Sequence, residues 1–347
     1  LLRRYMPEHV AALAAGAILV FPPVLAPMAV IWKDPLMASL FVLGASFLVE
    51  GRRWPAAVLL GLGCAMRANA PAAVLPLVVL LWPGARSSWR HLAIAFAVWC
   101  AITAGALGVD RVLTRVPQHA WACSLAPGDL GGIIRFSHHR YTDAELEEIL
   151  AGTPLMVHAD IEAQTRKIYT PVTWWPMANG DGRLFNWPDT EAQRDAIGRA
   201  WWRLVRDNPG AYLWHRWKVF QEVLGVTSNP VFDAVWTLHE GTPQLHHDAS
   251  SGRLQRALAA TAHWLAEHTP LFRPYLYTML ALALLVVCWR QRELVALLAS
   301  GLVYELTMLP FAPSPDYRYS HWLVVCAVIA LAAAISSRRC GRARSDA

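Results

Sequence analysis

The chain has 347 residues, 55% of them apolar and only 16% charged, with a mean hydropathy of +0.31. That is more apolar side chain than one water-soluble core can hide, so the composition excludes an ordinary soluble domain and points to a bilayer. The net charge of +6 and pI near 9.1 would suit a nucleic-acid binder. However, the arginines lie beside apolar runs and no basic-aromatic recognition motif appears, so that class is set aside.

Short basic clusters recur along the chain: Arg3 and Arg4, Arg52 and Arg53, Arg86 and Arg90, Arg290 and Arg292, and the tail Arg338 to Arg344. Lys and Arg collect in loops that stay in the cytoplasm, so these clusters are assigned to one membrane face and the apolar segments between them leave and return in pairs. Val10 to Ile31 is long enough to cross, with Pro22, Pro23 and Pro27 expected to break its outer third. It ends outside at Trp32-Lys33-Asp34-Pro35, and Leu36 to Val49 returns to Arg52 and Arg53.

Trp54 to Met66 and Ala70 to Trp82 are each too short to cross alone, at 1.5 Å of rise per residue. Read as a hairpin with Arg67 and Asn69 at its apex, they keep Arg86 and Arg90 inside; read as one pass, they would not. His91 to Val109 leaves again, and polarity changes at Asp110. From there to about Pro270 the chain is rich in Trp, His, Pro and charge and is expected to be a mostly helical extracytoplasmic region. Thr142 and Glu145 form a capping box, Asp189 is expected to cap a helix through Val205, and Asn208-Pro209-Gly210 to stop it. Tyr212 to Leu224 follows as a second amphipathic helix.

Leu271 to Trp289, Leu294 to Phe311 and Trp322 to Ile335 complete the set. The expected architecture is an all-α polytopic membrane protein of about eight segments, five before the outer region and three after it, with both ends cytoplasmic. The domains are then 1–109, 110–270 and 271–347. The chain opens Leu1-Leu2-Arg3-Arg4 without a signal peptide and is expected to be a shortened copy of something longer. The cysteines Cys64, Cys100, Cys288, Cys326 and Cys340 fall in or beside apolar runs and only Cys123 in the polar region, so no disulfide framework is implied.

The densest polar patch between two spans is Ala312-Pro-Ser-Pro-Asp316-Tyr317-Arg318-Tyr319-Ser320-His321. An Arg flanked by two Tyr and an Asp could hold a phosphate through forked hydrogen bonds while the rings pack on a lipid chain or sugar; the plain alternative is an aromatic-belt turn in which Asp316 only pairs with Arg318. Asp34 could act as a base or bind a divalent metal and Lys33 could meet a phosphate, against an equally weighted reading of Asp34-Pro35 as a helix start. Arg67, at the hairpin apex, could reach an anionic headgroup or simply snorkel. The histidines of the polar region, His246 and His247 with Asp248 above all, lack the spacing of a zinc site, and Trp174-Trp175 and Trp201-Trp202 could stack on sugars or pack a core. No Walker loop, GxGxxG or nucleophile elbow is present.

The kinked span, the outer Trp-Lys-Asp-Pro turn and the hairpin Gly61-Leu62-Gly63-Cys64-Ala65-Met66-Arg67-Ala68-Asn69 together resemble polytopic glycosyltransferases of the C-type superfamily. These are the bacterial relatives of protein mannosyltransferases that use polyprenyl-phosphate sugars. Asp207-Asn208-Pro209, Tyr212-Leu213-Trp214-His215-Arg216 and Asp316-Tyr317-Arg318-Tyr319 extend the resemblance over most of the chain. It implies sugar transfer from a polyprenyl-phosphate donor to an acceptor on the outer face of the inner membrane. The candidate carboxylates are then Asp34 and Asp316, with Lys33, Arg67, Tyr317, Arg318 and Tyr319 binding the lipid-linked phosphate sugar. The family's principal catalytic carboxylate sits in an outer loop that would precede Leu1, and Asp34 matches the second outer turn. A lipid-linked precursor transporter and a non-catalytic membrane subunit are the competing classes.

Overall fold

The computed structural model describes residues 1–28, 33–82, 89–114, 119, 121–156, 159–227 and 252–345. Within them the chain is all-α; the extended backbone is limited to an isolated antiparallel bridge between Leu155 and Phe185. The first helices are α1 (Glu8–Val20), α2 (Pro22–Met28), α3 (Lys33–Val49), α4 (Arg53–Ala65), α5 (Ala70–Leu81) and α6 (Trp89–Leu113). The middle of the chain forms α7 (Ala126–Phe136), α8 (Asp143–Ile149), α9 (Ile161–Ile168), α10 (Trp175–Ala178), α11 (Glu191–Asp207) and α12 (Pro209–Leu224). The last four are α13 (Arg253–His268), α14 (Pro274–Val287), α15 (Arg292–Phe311) and α16 (His321–Ser345).

Helices α6 and α15 and the stretch Tyr317–Ser337 are long and apolar enough to cross a membrane. A fourth crossing results if α1 and α2, bent by 64° at their junction, count as one broken span. The bend falls at Phe21, where Pro22 and Pro23 remove backbone donors and crowd the preceding turn. Leu92, Ile94, Phe96 and Leu107 stand on the exposed side of α6 while Ala95, Ile102 and Ala106 are covered, as expected of a helix with one face toward lipid.

The residues sort into two compact units: Leu1–Arg115 with Phe232–Thr307 and Asp316–Ala347, and Val116–Val231 with Met308–Pro315. In the first, α4 and α5 fold back on each other. Arg53 at the start of α4 lies over the ring of Trp82 just past the end of α5, 5.8 Å away, and the turn between the helices carries Arg67 and Asn69. The two helices therefore form a hairpin. It packs on α6 through Trp99 Nε1, which donates to the Pro71 carbonyl at 2.7 Å, and on α3, where a Cβ on Gly63 would come within 2.5 Å of the Phe41 ring.

Phe41 meets Trp322 of α16 edge-on at 5.3 Å, and both are buried. Trp322 in turn donates to Ser300 of α15 at 3.0 Å, which satisfies the indole N–H away from water. Gly301 lets α15 approach α16 closely, since a Cβ there would lie 3.2 Å from the Leu323 Cα. These helices also sort their charges by end. Arg4 pairs with Glu293, Ser336 caps the Tyr5 carbonyl, and Arg53 sits beside Trp82 at one end. Asp34 meets Arg67, and Asn69 meets Thr307, at the other.

The second unit is a small helical core in which Leu130, Ile133, Ile134, Leu146, Leu150, Met177, Phe185 and Leu204 are all buried together. Thr142 and Glu145 close the capping box read from sequence, with Thr142 N donating to Glu145 at 2.7 Å. Helix α11 is capped by Thr190 with Gln193 rather than by Asp189, because Thr-x-x-Gln satisfies two orphan donors reciprocally and a lone Asp satisfies fewer. Asn208 ends α11 and Pro209 opens α12 directly, so the expected stop is a corner between two helices. The Asn208 side chain fixes that corner by accepting from Ser137 at 2.7 Å and donating to Tyr141 at 2.6 Å.

Candidate functional site

All seven residues singled out from sequence lie in the first unit, and six of them, all but Tyr317, gather there. Asp34 lies inside the first turn of α3 and is almost fully enclosed, 2% exposed, with its carboxylate bound by Arg67. It stands at a helix start, and its oxygen meets a guanidinium brought from the α4–α5 turn. Arg67 stacks over the ring of Tyr319 at 4.4 Å, and Arg318 lies over the same ring at 5.4 Å. Two guanidinium groups thus share one buried aromatic ring, which attracts each cation through the ring quadrupole.

Asp316 completes the group. It pairs with Arg318 at 2.7 Å and caps the short turn Tyr317–Ser320 by accepting from the Arg318 backbone N–H at 3.2 Å. Burial pushes the Asp316 carboxyl up from the usual range, and the adjacent Arg318 pulls it back. Lys33 is exposed and lies within electrostatic range of Arg67, Asp34 and Arg318, with Asp110 beyond it. Asp34 therefore lies among three cations.

Tyr317 points elsewhere. It is 1% exposed, its hydroxyl donates to the Pro23 carbonyl at 3.2 Å, and its ring rests 5.2 Å from Phe272. Its visible work is to tie the turn before α16 to α2. The two tyrosines that flank Arg318 in sequence diverge because the turn between them is a tight helical one, which rotates successive side chains by about 120° at three residues per turn.

Three further polar residues are buried here; the sequence marked His321 only as the end of the polar patch and did not mark Tyr304 or Glu305. Glu305 and Tyr304 on α15 and His321 at the start of α16 are 2%, 0% and 2% exposed. Ser320 donates to one Glu305 oxygen at 2.8 Å, and the other oxygen has no hydrogen-bond partner. The Tyr304 ring lies within electrostatic range of Arg67 and Asp34, so this patch adjoins the charged cluster. The available signal was a lone Glu in an apolar run between Tyr304 and Leu306.

The second unit holds its own buried charge network, also missed. Asp129 is 0% exposed and accepts from Trp201 Nε1 at 2.9 Å, Arg216 Nη1 at 3.1 Å and His215 Nε2 at 2.9 Å. Because Nε2 donates to the carboxylate, Nδ1 is left to accept the Tyr169 hydroxyl at 2.8 Å, and the imidazole is neutral. Burial lowers the His215 pKa from its usual value, against the raising effect of Asp129 and with the lowering effect of Arg216. Arg216 spends its remaining donors on the carbonyls of Leu309 at 2.8 Å and Ala312 at 2.9 Å. Every strong donor is satisfied internally, so this network anchors the Met308–Pro315 segment and offers no open atom to a ligand.

Trp201 belongs to that core, while Trp202, Trp175 and Trp187 are 61%, 55% and 42% exposed. His139 pairs with Glu145 at the surface, 3.3 Å apart. The candidates His158, His239, His246, His247 and Asp248, together with Trp32 and Arg86, lie outside the described residues. Among the described residues no three His, Cys, Asp or Glu side chains converge to hold a metal ion, and Asp34 and Asp316 are each committed to a guanidinium. No protein-family model, curated protein or solved structure matches the chain.

Proposed function

We propose that this chain is a bacterial inner-membrane glycosyltransferase that moves a sugar from a polyprenyl-phosphate donor to an acceptor at the outer face. The observation that carries this reading is the pair of guanidinium groups, Arg67 and Arg318, that share the ring of a buried Tyr319, next to two carboxylates. Paired arginines suit a phosphate, and the charge they provide is what a departing phosphate needs as the glycosidic bond breaks. A carboxylate beside them suits the other half of the reaction. The acceptor hydroxyl attacks the anomeric carbon, its proton passes to Asp34, and the bond from that carbon to the phosphate oxygen breaks. Arg67, Arg318 and Lys33 take the negative charge. Asp316 keeps Arg318 oriented and is the second candidate base.

The orientation rests on charge bias. Arg4, Arg53, Arg290 and Arg292 lie toward one end of the helices and the Asp34 and Arg67 cluster toward the other, so a cytoplasmic basic end gives an outer-face site. Eight membrane segments follow when α1 with α2, then α3, α4, α5, α6, α14, α15 and α16 each count once, with both termini in the cytoplasm. The short α4 and α5 would then enter as a hairpin without completing a crossing, which their 13 and 12 residues suit.

The test is transfer of radiolabelled sugar from a polyprenyl phosphate by the purified chain in lipid nanodiscs, with donor binding measured alongside. Loss of both on Arg318→Ala, with the fold intact, is the expected result; absence of both in the unaltered chain ends the proposal. The competing transporter reading draws on Glu305, a carboxylate enclosed within a candidate span. Movement of a fluorescent lipid-linked sugar across proteoliposomes without any transfer would favour it.

A further inference from the structure

Asp34 and Arg67 form an ion pair whose two sides are unequally open. The carboxylate is 2% exposed and the guanidinium 17% exposed, while the neighbouring Arg318 is 27% exposed. An anion reaching this end of the helices meets cations first and the carboxylate last. As it stands, Asp34 Oδ1 accepts from Arg67 Nη1, so the candidate base is held as the anion, and made less basic, by the candidate phosphate ligand.

We propose that Arg67 masks Asp34 until the phosphate of a lipid-linked sugar takes its guanidinium, so that arrival of that phosphate frees the Asp34 carboxylate at the same site. The inference rests on the reading of Arg67 and Arg318 as phosphate ligands and adds how binding switches on the base.

Three features favour exchange over a permanent pair. Tyr319, 5% exposed, holds Arg67 from beneath through its ring at 4.4 Å, so the guanidinium stays in place when its carboxylate partner leaves. A phosphate presents its oxygens tetrahedrally on one centre, so a single group can accept from the Arg67 and Arg318 guanidiniums together. A bound phosphate also places negative charge beside Asp34 and weakens the pair from the other side. Asp129 is a contrasting carboxylate of the same chain. It is enclosed by Arg216, His215 and Trp201, and Arg216 is 4% exposed, so no anion can reach it.

The experiment is carbodiimide labelling of the full chain in nanodiscs with an amine nucleophile, read at Asp34 by peptide mass spectrometry. Farnesyl phosphate, inorganic phosphate and farnesol are the three additions, and binding of each is measured on the same sample. A several-fold rise in Asp34 labelling with farnesyl phosphate, none with farnesol and no change at Asp129 supports the proposal. A rise with inorganic phosphate as well assigns recognition to the phosphate group alone, and a rise only with farnesyl phosphate assigns it to phosphate and lipid together.

Saturated farnesyl phosphate binding with unchanged Asp34 labelling overturns the masking inference and leaves the phosphate site standing. Absence of binding to any phosphate overturns both. Arg67→Gln should label at Asp34 without ligand and gain nothing from it. If that variant does not fold, Arg67→Lys, which keeps the charge and loses the fork, should show raised basal labelling and a smaller ligand response; labelling like that of the unaltered chain overturns the masking.

Discussion

Arg67 and Asp34 are separated by 33 residues in sequence and meet because the α4–α5 hairpin sets its apex against the first turn of α3. The pair is thus a closure of that fold as well as part of the candidate site. Removing one partner of a buried pair leaves a charge without compensation, which costs roughly 3–5 kcal/mol when burial is complete. The 17% exposure of Arg67 lowers the expectation for Arg67→Ala to about 2–3 kcal/mol. Asp34→Asn combined with Arg67→Gln should recover part of that loss, since neither charge is then orphaned. Thermal unfolding of the four forms in detergent, analysed as a double-mutant cycle, checks the coupling.

Gly132 on α7 permits the His215 network. A Cβ at this position would lie 2.1 Å from His215 Nδ1, the atom that accepts the Tyr169 hydroxyl. Gly132→Ala gains up to about 1 kcal/mol of helix propensity, but overpacking in a closed core typically costs about 1–3 kcal/mol and the network's hydrogen bonds are lost as well. Net destabilisation of the second unit is the expected outcome. Faster amide exchange in peptides of α7 and α12, with α3 and α16 unaffected, is the measurement.

His215 also makes the second unit acid-sensitive. Its folded pKa lies below the ordinary value of 6.5, so as pH falls below about 6.5 the unfolded chain takes up a proton that the folded chain refuses. The stabilisation is complete above that pH and is lost as pH falls, at up to about 1.4 kcal/mol per pH unit for one proton. Between pH 7 and roughly pH 5 exchange protection around α12 should fall in the unaltered chain, and His215→Gln should flatten that slope even if it lowers protection throughout.

The exposed face of α6 supplies a test of membrane insertion. Ala101 is exposed at the middle of this 25-residue helix, and Ile102 beside it is buried. Ala101→Arg should cost about 2.5–3.5 kcal/mol of insertion free energy at the bilayer centre. Glycosylation-reporter or protease-protection assays should show a larger loss of insertion than Leu113→Arg, at the helix end, where the side chain can snorkel to water.

Much of the architecture is legible in one dimension because the cues are local. Apolar length marks α6, α15 and α16, consecutive prolines set the bend at Phe21, and Thr-x-x-Glu and Thr-x-x-Gln mark the caps of α8 and α11. The shortness of the runs that become α4 and α5, together with charge bias, favours a hairpin over a single pass, since the alternative would put Arg86 and Arg90 on the wrong side. The sequence also drew attention to Asp34, Arg67, Arg318 and Tyr319 as polar residues bordering apolar runs.

Partner choice was decided by the tertiary structure, because it depends on which helices touch. Nothing local says that Arg67 takes Asp34, that Tyr319 lies beneath two guanidinium groups while Tyr317 turns to Pro23, or that Asp129 collects Trp201, His215 and Arg216 from 72 to 87 residues away. A buried charge is stable only where distant donors converge on it, and that convergence is a property of packing, which periodicity along a single helix does not encode.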